Sequence, residues 1–350
     1  MIRLSYQPVR SDLRKVQSFV YYIMLEVVLR APKLKNKRFT LNMVIPRYRQ
    51  LIEGVNEDYL LKPLKVMYVS CKRLKPYQLR LLRKAVYCNN KIKELCEGRL
   101  KPVHYSELSV ALGKENDAFI EALRKFCYAL YDNCLKRKIF VDSYEDVKNY
   151  YRNLVERDSN CVMCGTTDVI DTELDETMSA FDHYLPRALY PFNSVNLDNL
   201  VPTCDKCNGK AKKAKDPLYE QNVPPYRQKL QLRCFYPFSC TKYTIVVGVK
   251  FDTPFRQKMP KDDIHIALSC AKAQDEVDNW NRIYNIKERY RALVGNDNYY
   301  KIYLNEYNNA LAWSRTLEQM VKLRENNMEG DMNFLKVPFL KAVLESKKKH

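Results

Sequence analysis

Apolar residues recur at helical spacing through most of the first 150 residues. Ser11 is of the residue type that caps a helix N-terminus, and it precedes a predicted helix over residues 12–29. The same spacing predicts helices over residues 76–96 and 116–135. Ser143 and Asp146 stand at capping-box spacing before a fourth predicted helix, over residues 143–155. The pattern therefore predicts a helical N-terminal domain over residues 1–150.

The pattern changes beyond Asp216-Pro217. Pro224 and Pro225 interrupt the chain, and residues 243–251 are apolar and β-branched, which is typical of a strand. Helical periodicity returns over residues 271–293, 299–324 and 337–344. The sequence thus predicts a mainly helical α+β protein, in which residues 151–220 form a separate central domain and residues 221–350 a strand followed by helices.

Charge is distributed unevenly along the chain. Residues 1–100 hold 22 lysines and arginines against 7 aspartates and glutamates, so they carry +15 of the formal net charge of +19. Residues 151–220 hold 8 against 12 and are locally acidic. Lysine and arginine also simply solvate helix faces, but a bias that extends over a hundred residues favours a polyanionic partner such as nucleic acid.

Twelve cysteines raise the question of the redox compartment. The apolar stretch over residues 16–29 contains Gln17 and Glu26, is too short to span a bilayer and lacks a small-residue cleavage site. We therefore expect a buried helix there, a cytoplasmic protein and no membrane association. In a reducing compartment, paired Cys-x-x-Cys spacings indicate metal binding more often than disulfides. The other eight cysteines are expected to be small buried hydrophobes.

Two Cys-x-x-Cys pairs flank the central segment, Cys161 with Cys164 and Cys204 with Cys207. Each pair can point two thiolates at one ion, and four thiolates give the tetrahedral set that Zn²⁺ prefers. Such a set leaves no open coordination position, which predicts a structural zinc that closes the excursion between residues 164 and 204.

Asp182-His183 lies inside this excursion. A hard ion such as Mg²⁺, or Mn²⁺ in its place, prefers oxygen ligands, which Asp182 and the amide of Asn208 can supply. The adjacent His183 can take a proton from an attacking water, as phosphodiester hydrolysis requires. Neighbouring side chains of a regular strand point to opposite faces, so we expect the strand to end or bulge at this pair. Asn199 is expected to brace the loop or to orient the imidazole.

These residues together resemble the zinc-stabilised HNH endonucleases, in the variant whose last motif residue is asparagine. The resemblance covers about residues 158–217 and rests on Cys161-x-x-Cys164, Asp182-His183-Tyr-Leu-Pro186 and Asn199-Leu-Val-Pro-x-Cys204-x-x-Cys207-Asn208. It implies a ββα-metal core in which His183 ends the first strand and Asn208 opens the helix. It also implies that His183 is the general base, that Asp182 and Asn208 hold one Mg²⁺, and that Asn199 is the orienting residue.

A looser similarity extends to HNH proteins of bacterial anti-phage defence, some of which act with an ATPase subunit. It includes Trp280, Tyr284 and Tyr290, although their helical spacing favours core packing. Many family members have a lysine three residues after the last motif position, where this chain has Ala211. We expect nucleic-acid contacts from Arg187, Lys210, Lys212 and Lys213, with a solvated helix face as the ordinary alternative for the lysines.

Two classes of function follow from the sequence. The first is a metal-dependent HNH endonuclease that acts on DNA or, as an alternative substrate of the same fold, on RNA or transfer RNA. The second is a zinc-stabilised nucleic-acid-binding or interaction subunit without catalysis. The sequence offers no phosphate-cradling glycine loop, because Gly113-Lys114 lacks the preceding glycine and the following serine or threonine.

Overall fold

A computed structural model describes most of the chain. The described residues are 4–34, 37–156, 160–167, 169, 181–220, 230–241, 243–256, 259–296, 316–328 and 330–348. The chain divides into two compact units. One consists of Met1–Ser5, Asn160–Asp168 and Ser239–His350, and the other of Tyr6–Ser159 and Val169–Phe238. These limits differ from those of the three regions expected from the sequence. The functions expected for those regions stay predictions.

The larger unit is mainly helical, as the sequence predicts. Its described helices are α1 (Lys15–Tyr22), α2 (Pro46–Glu53), α3 (Leu61–Cys71), α4 (Pro76–Cys88), α5 (Ile92–Cys96), α6 (Tyr105–Leu112), α7 (Asp117–Ala129), α8 (Lys138–Ser143) and α9 (Val147–Val155). Wider π-type turns follow α1 over Ile23–Val28 and α7 over Leu130–Cys134. The unit also holds a short antiparallel pair, β1 (Phe181–His183) and β2 (Leu200–Pro202).

The first predicted helix is confirmed at its start. The Ser11 hydroxyl accepts a hydrogen bond from the Leu13 amide, and a 3₁₀ turn over Asp12–Arg14 leads into α1. Buried apolar residues run from Val16 through the π-type turn, as expected of a buried helix. The buried Gln17 side chain is half satisfied: its Nε2 donates to the Phe192 carbonyl at 3.3 Å, whereas its Oε1 has no partner in the described residues.

Two predicted helices have different limits in the structure. The segment predicted as one helix over residues 76–96 is broken into α4 and α5, because Asn89 turns its side chain to the backbone of Val103 with two bonds of 2.8 Å. The helix predicted over residues 143–155 begins later. Asp146 caps α9, whereas Ser143 ends α8 and donates to the Ile139 carbonyl.

Aromatic packing fills the core of this unit. Phe19 on α1 contacts the rings of Tyr48, Phe126 and Phe140 at centroid distances of 5.2, 6.2 and 6.3 Å. Because these rings come from α1, α2, α7 and α8, one cluster joins four helices. Each fully buried phenylalanine stabilises the fold by about 1.5–3 kcal/mol relative to an exposed one.

The smaller unit contains β3 (Val246–Phe251) and β4 (Ile264–Ser269), paired antiparallel from Val246 opposite Ser269 to Phe251 opposite Ile264. The sequence predicts β3 but β4 was not foreseen, although its burial alternates strictly along the strand. Its described helices are α10 (Gln274–Tyr284), α11 (Ile286–Val294), α12 (Leu317–Glu325) and α13 (Asn333–Lys348).

The helix predicted over residues 271–293 is divided by Asn285, whose backbone is left-handed with φ 54° and ψ 44°. Part of the helix predicted over residues 299–324 lies outside the described residues. The one predicted over residues 337–344 is contained in the longer α13. Within the described ranges, no helix combines the length and the apolar character needed to cross a bilayer.

Candidate functional site

The β1–β2 pair positions the predicted acid and base. Asp182 lies opposite Val201 and His183 opposite Leu200, and the strand ends at His183. Past the strand end, the Tyr184 amide donates to the Asn199 carbonyl at 2.9 Å, which is the next pair in the same register. The expectation that the strand ends at this pair is therefore met.

The carboxylate of Asp182 is buried and only partly satisfied. Oδ1 accepts a hydrogen bond of 2.8 Å from Lys212 Nζ, and the two side chains are 3% and 1% exposed. Within the described part of the chain, Oδ2 is buried and has no hydrogen-bond partner. Burial raises the pKa of Asp182, and the charge and hydrogen bond of Lys212 oppose that shift. A buried carboxylate oxygen without a hydrogen-bond partner, such as Oδ2, can bind a cation.

The hydrogen bonding of His183 defines its tautomer. Nε2 lies 2.9 Å from the Ser194 carbonyl oxygen, which can only accept, so Nε2 carries the proton. Nδ1 is then the nitrogen with the available lone pair. Burial lowers the pKa of His183 to about 3, and the Ser194 hydrogen bond opposes this shift in part. The imidazole is therefore neutral at pH 7, which is the form that can accept a proton.

Aromatic and charged side chains form a wall beside His183. The Tyr131 ring stands edge to face with the imidazole at 4.5 Å between centroids. Arg187 lies over Tyr128 and Tyr131 and bonds Asp132 at 2.8 Å, so its guanidinium is already engaged by protein groups. Burial raises the pKa of Tyr131 to about 12, which keeps its hydroxyl protonated.

Asn199 braces the loop after β1. The fully buried amide accepts from the Leu185 amide at 2.7 Å and donates to the Leu185 carbonyl and the Asn193 side chain, each at 3.0 Å. In the described residues it makes no hydrogen bond to His183. Of the two roles expected for Asn199, the structure therefore places it in the first.

Further asparagines connect this loop to the end of α4. The Asn196 amide donates to the backbone and side-chain oxygens of Asn90 at 2.9 and 3.2 Å. Asn196 also accepts from the Asp198 amide at 3.1 Å, the turn role that its residue type favours. This link was not foreseen, because no spacing in the sequence relates residues 90 and 196.

The four motif cysteines come together. Cys161, Cys164, Cys204 and Cys207 are buried, and their sulfurs all lie within 4.8 Å of one another. Sulfurs that share a tetrahedral zinc with Zn–S bonds of about 2.3 Å are roughly 3.8 Å apart, so this cluster could hold a metal ion such as zinc. Among the other eight cysteines, seven are buried as expected, whereas Cys240 is exposed.

Helices of the smaller unit hold the first cysteine pair. Trp280 Nε1 donates to the Met163 carbonyl, and the Tyr290 hydroxyl donates to the Cys164 carbonyl, both at 2.8 Å. Both aromatic residues are buried, in agreement with the core-packing interpretation. Helical spacing indicates that they are buried, but it does not identify which carbonyls they meet.

The Lys206–Lys212 segment forms a π-type turn after Cys204. Asn208 is half-buried, and its backbone amide donates to the Cys204 carbonyl at 2.9 Å. Lys210 and Lys213 are exposed, as nucleic-acid contacts require. Lys212 is not at the surface, because it is drawn inward to Asp182 and the His183 carbonyl. In this structure the charge of Lys212 is therefore not available to nucleic acid.

Comparisons with known proteins leave the family open. No family model and no solved structure matches the chain. Protein ea31 of Escherichia phage lambda is 30% identical over 174 residues, which are 47% of this chain and 50% of that protein. The chain thus spans about half the length of the curated relative it matches, and the match transfers no activity to it.

Proposed function

We propose that this chain is a metal-dependent endonuclease of the HNH type in which His183 is the general base. One observation carries the proposal: a neutral histidine directly follows a buried carboxylate, and among the described residues neither its Nδ1 nor one carboxylate oxygen has a hydrogen-bond partner. Phosphodiester hydrolysis needs a proton acceptor for water and a cation for the departing oxygen, and these two side chains match that division.

The residues present fit a hard divalent cation. Asp182 Oδ2 is an anionic oxygen without a partner in the described residues, and the Asn208 amide could add a neutral oxygen ligand. Mg²⁺, or Mn²⁺ in its place, would supply charge neutralisation for the leaving oxygen. Asp182 and Asn208 would hold that ion. Asn199 keeps the loop in place through its hydrogen bond with Leu185. The Ser194 carbonyl keeps the imidazole of His183 in the tautomer that is protonated on Nε2.

The four-cysteine cluster has a different role in this proposal. Four thiolates complete a tetrahedral set and leave no position for water or phosphate, so a zinc ion there is structural. Its binding energy contributes to folding.

Alanine substitution of His183 tests the proposed base. Zinc-loaded protein, with Mg²⁺ or Mn²⁺, is assayed on plasmid DNA, single-stranded DNA, total RNA and transfer RNA in one panel. We expect His183→Ala to lose about 100-fold or more of the cleavage rate, the usual effect of removing a general base. The matched control is His265→Ala, an exposed histidine in β4. Equal cleavage by His183→Ala and the unchanged protein would remove His183 from the mechanism.

The proposed substrate is nucleic acid, with DNA ahead of RNA. Helix α4 supports a nucleic-acid substrate of either kind, because its sequence contains Arg80, Arg83 and Lys84 without an acidic residue, and Tyr77 and Tyr87 are 48% and 56% exposed. Basic side chains contact phosphates and exposed aromatic rings stack on bases. The resemblance also suggests an ATPase subunit as partner in anti-phage defence, which co-purification from the native host would test.

Charge reversal on α4 tests this surface. The double substitution Arg80→Glu with Lys84→Glu should weaken binding of a labelled oligonucleotide by about tenfold at 0.1 M salt. The slope of log binding constant against log salt concentration should decrease by the equivalent of about two phosphate contacts. The control reverses Lys125, which pairs with Glu121 at 2.9 Å on α7. An unchanged salt slope would place the binding surface elsewhere.

One observation favours the second candidate function, a zinc-stabilised binding module without catalysis. Asp182 is already paired with Lys212 in a buried contact, as a purely structural aspartate would be. A protein that binds nucleic acid but cleaves no member of the substrate panel would fit this alternative.

A further inference from the structure

The Lys212 ammonium is deeply buried in the candidate cation site. Nζ lies 2.8 Å from Asp182 Oδ1 and 2.8 Å from the His183 carbonyl oxygen. It therefore touches the carboxylate of the proposed cation ligand and the backbone of the proposed general base. Its side chain is 1% exposed, which is rare for lysine and requires compensation by a partner charge.

The compensation is incomplete. A buried ion pair offsets its desolvation only when the remaining lone pairs of the carboxylate are also satisfied. Here Oδ2 of Asp182 is buried and has no partner in the described residues. A divalent cation on Asp182 would share that one carboxylate with the ammonium, and two positive centres a few ångströms apart in a buried site repel strongly. The lysine and the cation therefore oppose one another.

The backbone next to Lys212 is strained in the inward position. Lys213 has φ 52° and ψ −121°, a region that glycine adopts readily and other residues rarely do. This residue directly follows the π-type turn that carries Lys212. An outward movement of Lys212 would allow Lys213 to relax, which lowers the cost of that movement.

We infer that Lys212 is a built-in counter-ion of Asp182, which holds the carboxylate in the cation-free protein and leaves it when a divalent cation binds. The inference rests on the proposed function, because it takes Asp182 as the cation ligand. It explains how a site can be buried and charge-compensated before its ion arrives. It also predicts that cation affinity is limited by the displacement of Lys212.

Amine labelling of the unchanged, zinc-loaded protein tests the displacement. Acetylation of lysines is followed by peptide mass spectrometry with and without saturating Mn²⁺. Lys212 should be protected from acetylation without Mn²⁺, and its extent of acetylation should rise at least fivefold when Mn²⁺ is present. Lys210, whose side chain is 74% exposed, should be labelled equally in both conditions. Continued protection of Lys212 in saturating Mn²⁺ would overturn the inference.

Two substitutions should shift Mn²⁺ affinity in opposite directions. Lys212→Met removes the competitor and should tighten binding by about tenfold or more. Lys213→Gly removes the strain of the inward position and should weaken binding by about threefold. Affinity is measured by calorimetry on zinc-loaded protein, with Lys210→Met as the control for loss of a nearby charge and Asp182→Asn as the control for the site.

The outcomes separate this inference from the proposed function. If binding depends on Asp182 but Lys212→Met binds Mn²⁺ no more tightly than the unchanged protein, the counter-ion role is wrong and the proposed cation site stands. If no variant binds Mn²⁺ through Asp182, both are wrong. If Lys212→Met does not fold, the labelling experiment and the affinity of Lys213→Gly decide.

Discussion

The four-cysteine cluster and the Asp182 site leave different amounts of bonding capacity unused. Four buried thiols lie within 4.8 Å of one another, and together they can complete the coordination of one tetrahedral ion. Among the described residues, the Asp182 site has one carboxylate oxygen and one imidazole nitrogen without a hydrogen-bond partner, beside the Lys212 ammonium. The first arrangement could hold a structural ion, whereas the proposed function assigns an exchangeable ion and a reacting water to the second.

The two sites are also supported differently. Trp280 and Tyr290 donate hydrogen bonds to backbone carbonyls of the first cysteine pair. The Asp182–His183 loop is held by buried asparagine side chains, with Asn199 at their centre. Substitutions in each support should therefore produce separable effects.

The largest effect is expected at the cysteine cluster. Cys204→Ser removes one of four ligands, so bound zinc should fall from about one equivalent to near zero and the apparent Tm by more than about 10 °C. Elemental analysis and thermal unfolding measure the two quantities. Cys240→Ser, at an exposed cysteine outside the cluster, is the control and should change neither. Full zinc content in Cys204→Ser would refute the four-cysteine site.

The next effect is expected at the loop support. Asn199→Ala leaves the backbone groups of Leu185 and the Asn193 side chain without their partner, which should lower the free energy of unfolding by about 2–4 kcal/mol. Zinc content should stay near one equivalent, which distinguishes the loop from the cluster. Denaturant unfolding measures the loss, with the exposed Asn56→Ala as control. A loss below about 1 kcal/mol would contradict the bracing role.

A buried histidine behind the same loop should make stability depend on pH. His104 caps α6 by accepting from the Ser106 amide at 3.3 Å, and its ring packs against Tyr190. Burial lowers the pKa of His104 to about 4 from 6.5. Below pH 6.5 the unfolded chain binds a proton that the folded protein does not, so stability falls as pH decreases toward 4.

This loss should amount to about 2–3 kcal/mol between pH 6.5 and pH 4. His104→Asn retains a capping acceptor but cannot titrate, so its stability should decrease less over that interval. Denaturant unfolding at several pH values measures both proteins. Parallel stability curves for the two would show that His104 does not contribute to the acid sensitivity.

The smallest effect is expected at the support of the cysteine pair. Tyr290→Phe removes only the hydroxyl that donates to the Cys164 carbonyl, which should cost about 1 kcal/mol. Zinc should remain bound, but chelator should remove it faster than from the unchanged protein. Tyr87→Phe, at a tyrosine that is 56% exposed, is the control. An unchanged rate of zinc release would separate Tyr290 from the cluster.

Local signals in the sequence predicted individual elements well where the responsible contacts are near in the chain. Ser11 caps the first helical segment through the Leu13 amide two residues away, as its residue type indicates. The break between α4 and α5 was missed because the side chain of Asn89 satisfies the backbone of Val103, 14 residues later. Helical periodicity continues across that break and contains no information about a distant partner.

For the site as well, the sequence predicted the features that depend on local spacing and missed those that depend on distant contacts. Cysteine spacing was sufficient to predict the cluster, because each of two matched Cys-x-x-Cys pairs can direct two thiolates at one ion. Lys212 was predicted at the surface together with Lys210 and Lys213. The sequence contains no signal that distinguishes one of these neighbouring lysines from the others. Only the packing of that turn against β1 draws one of the three inward.

The sequence by itself determined which residue types are available: four thiolates, an adjacent acid and base, and a basic N-terminal region. These follow from composition and from contacts a few residues apart, which are physically local. The tertiary structure alone decided which imidazole nitrogen and which carboxylate oxygen have a partner among the described residues, and which lysine is buried. Each of these depends on an atom supplied by a residue 11 to 30 positions away, such as the Ser194 carbonyl or Lys212 Nζ.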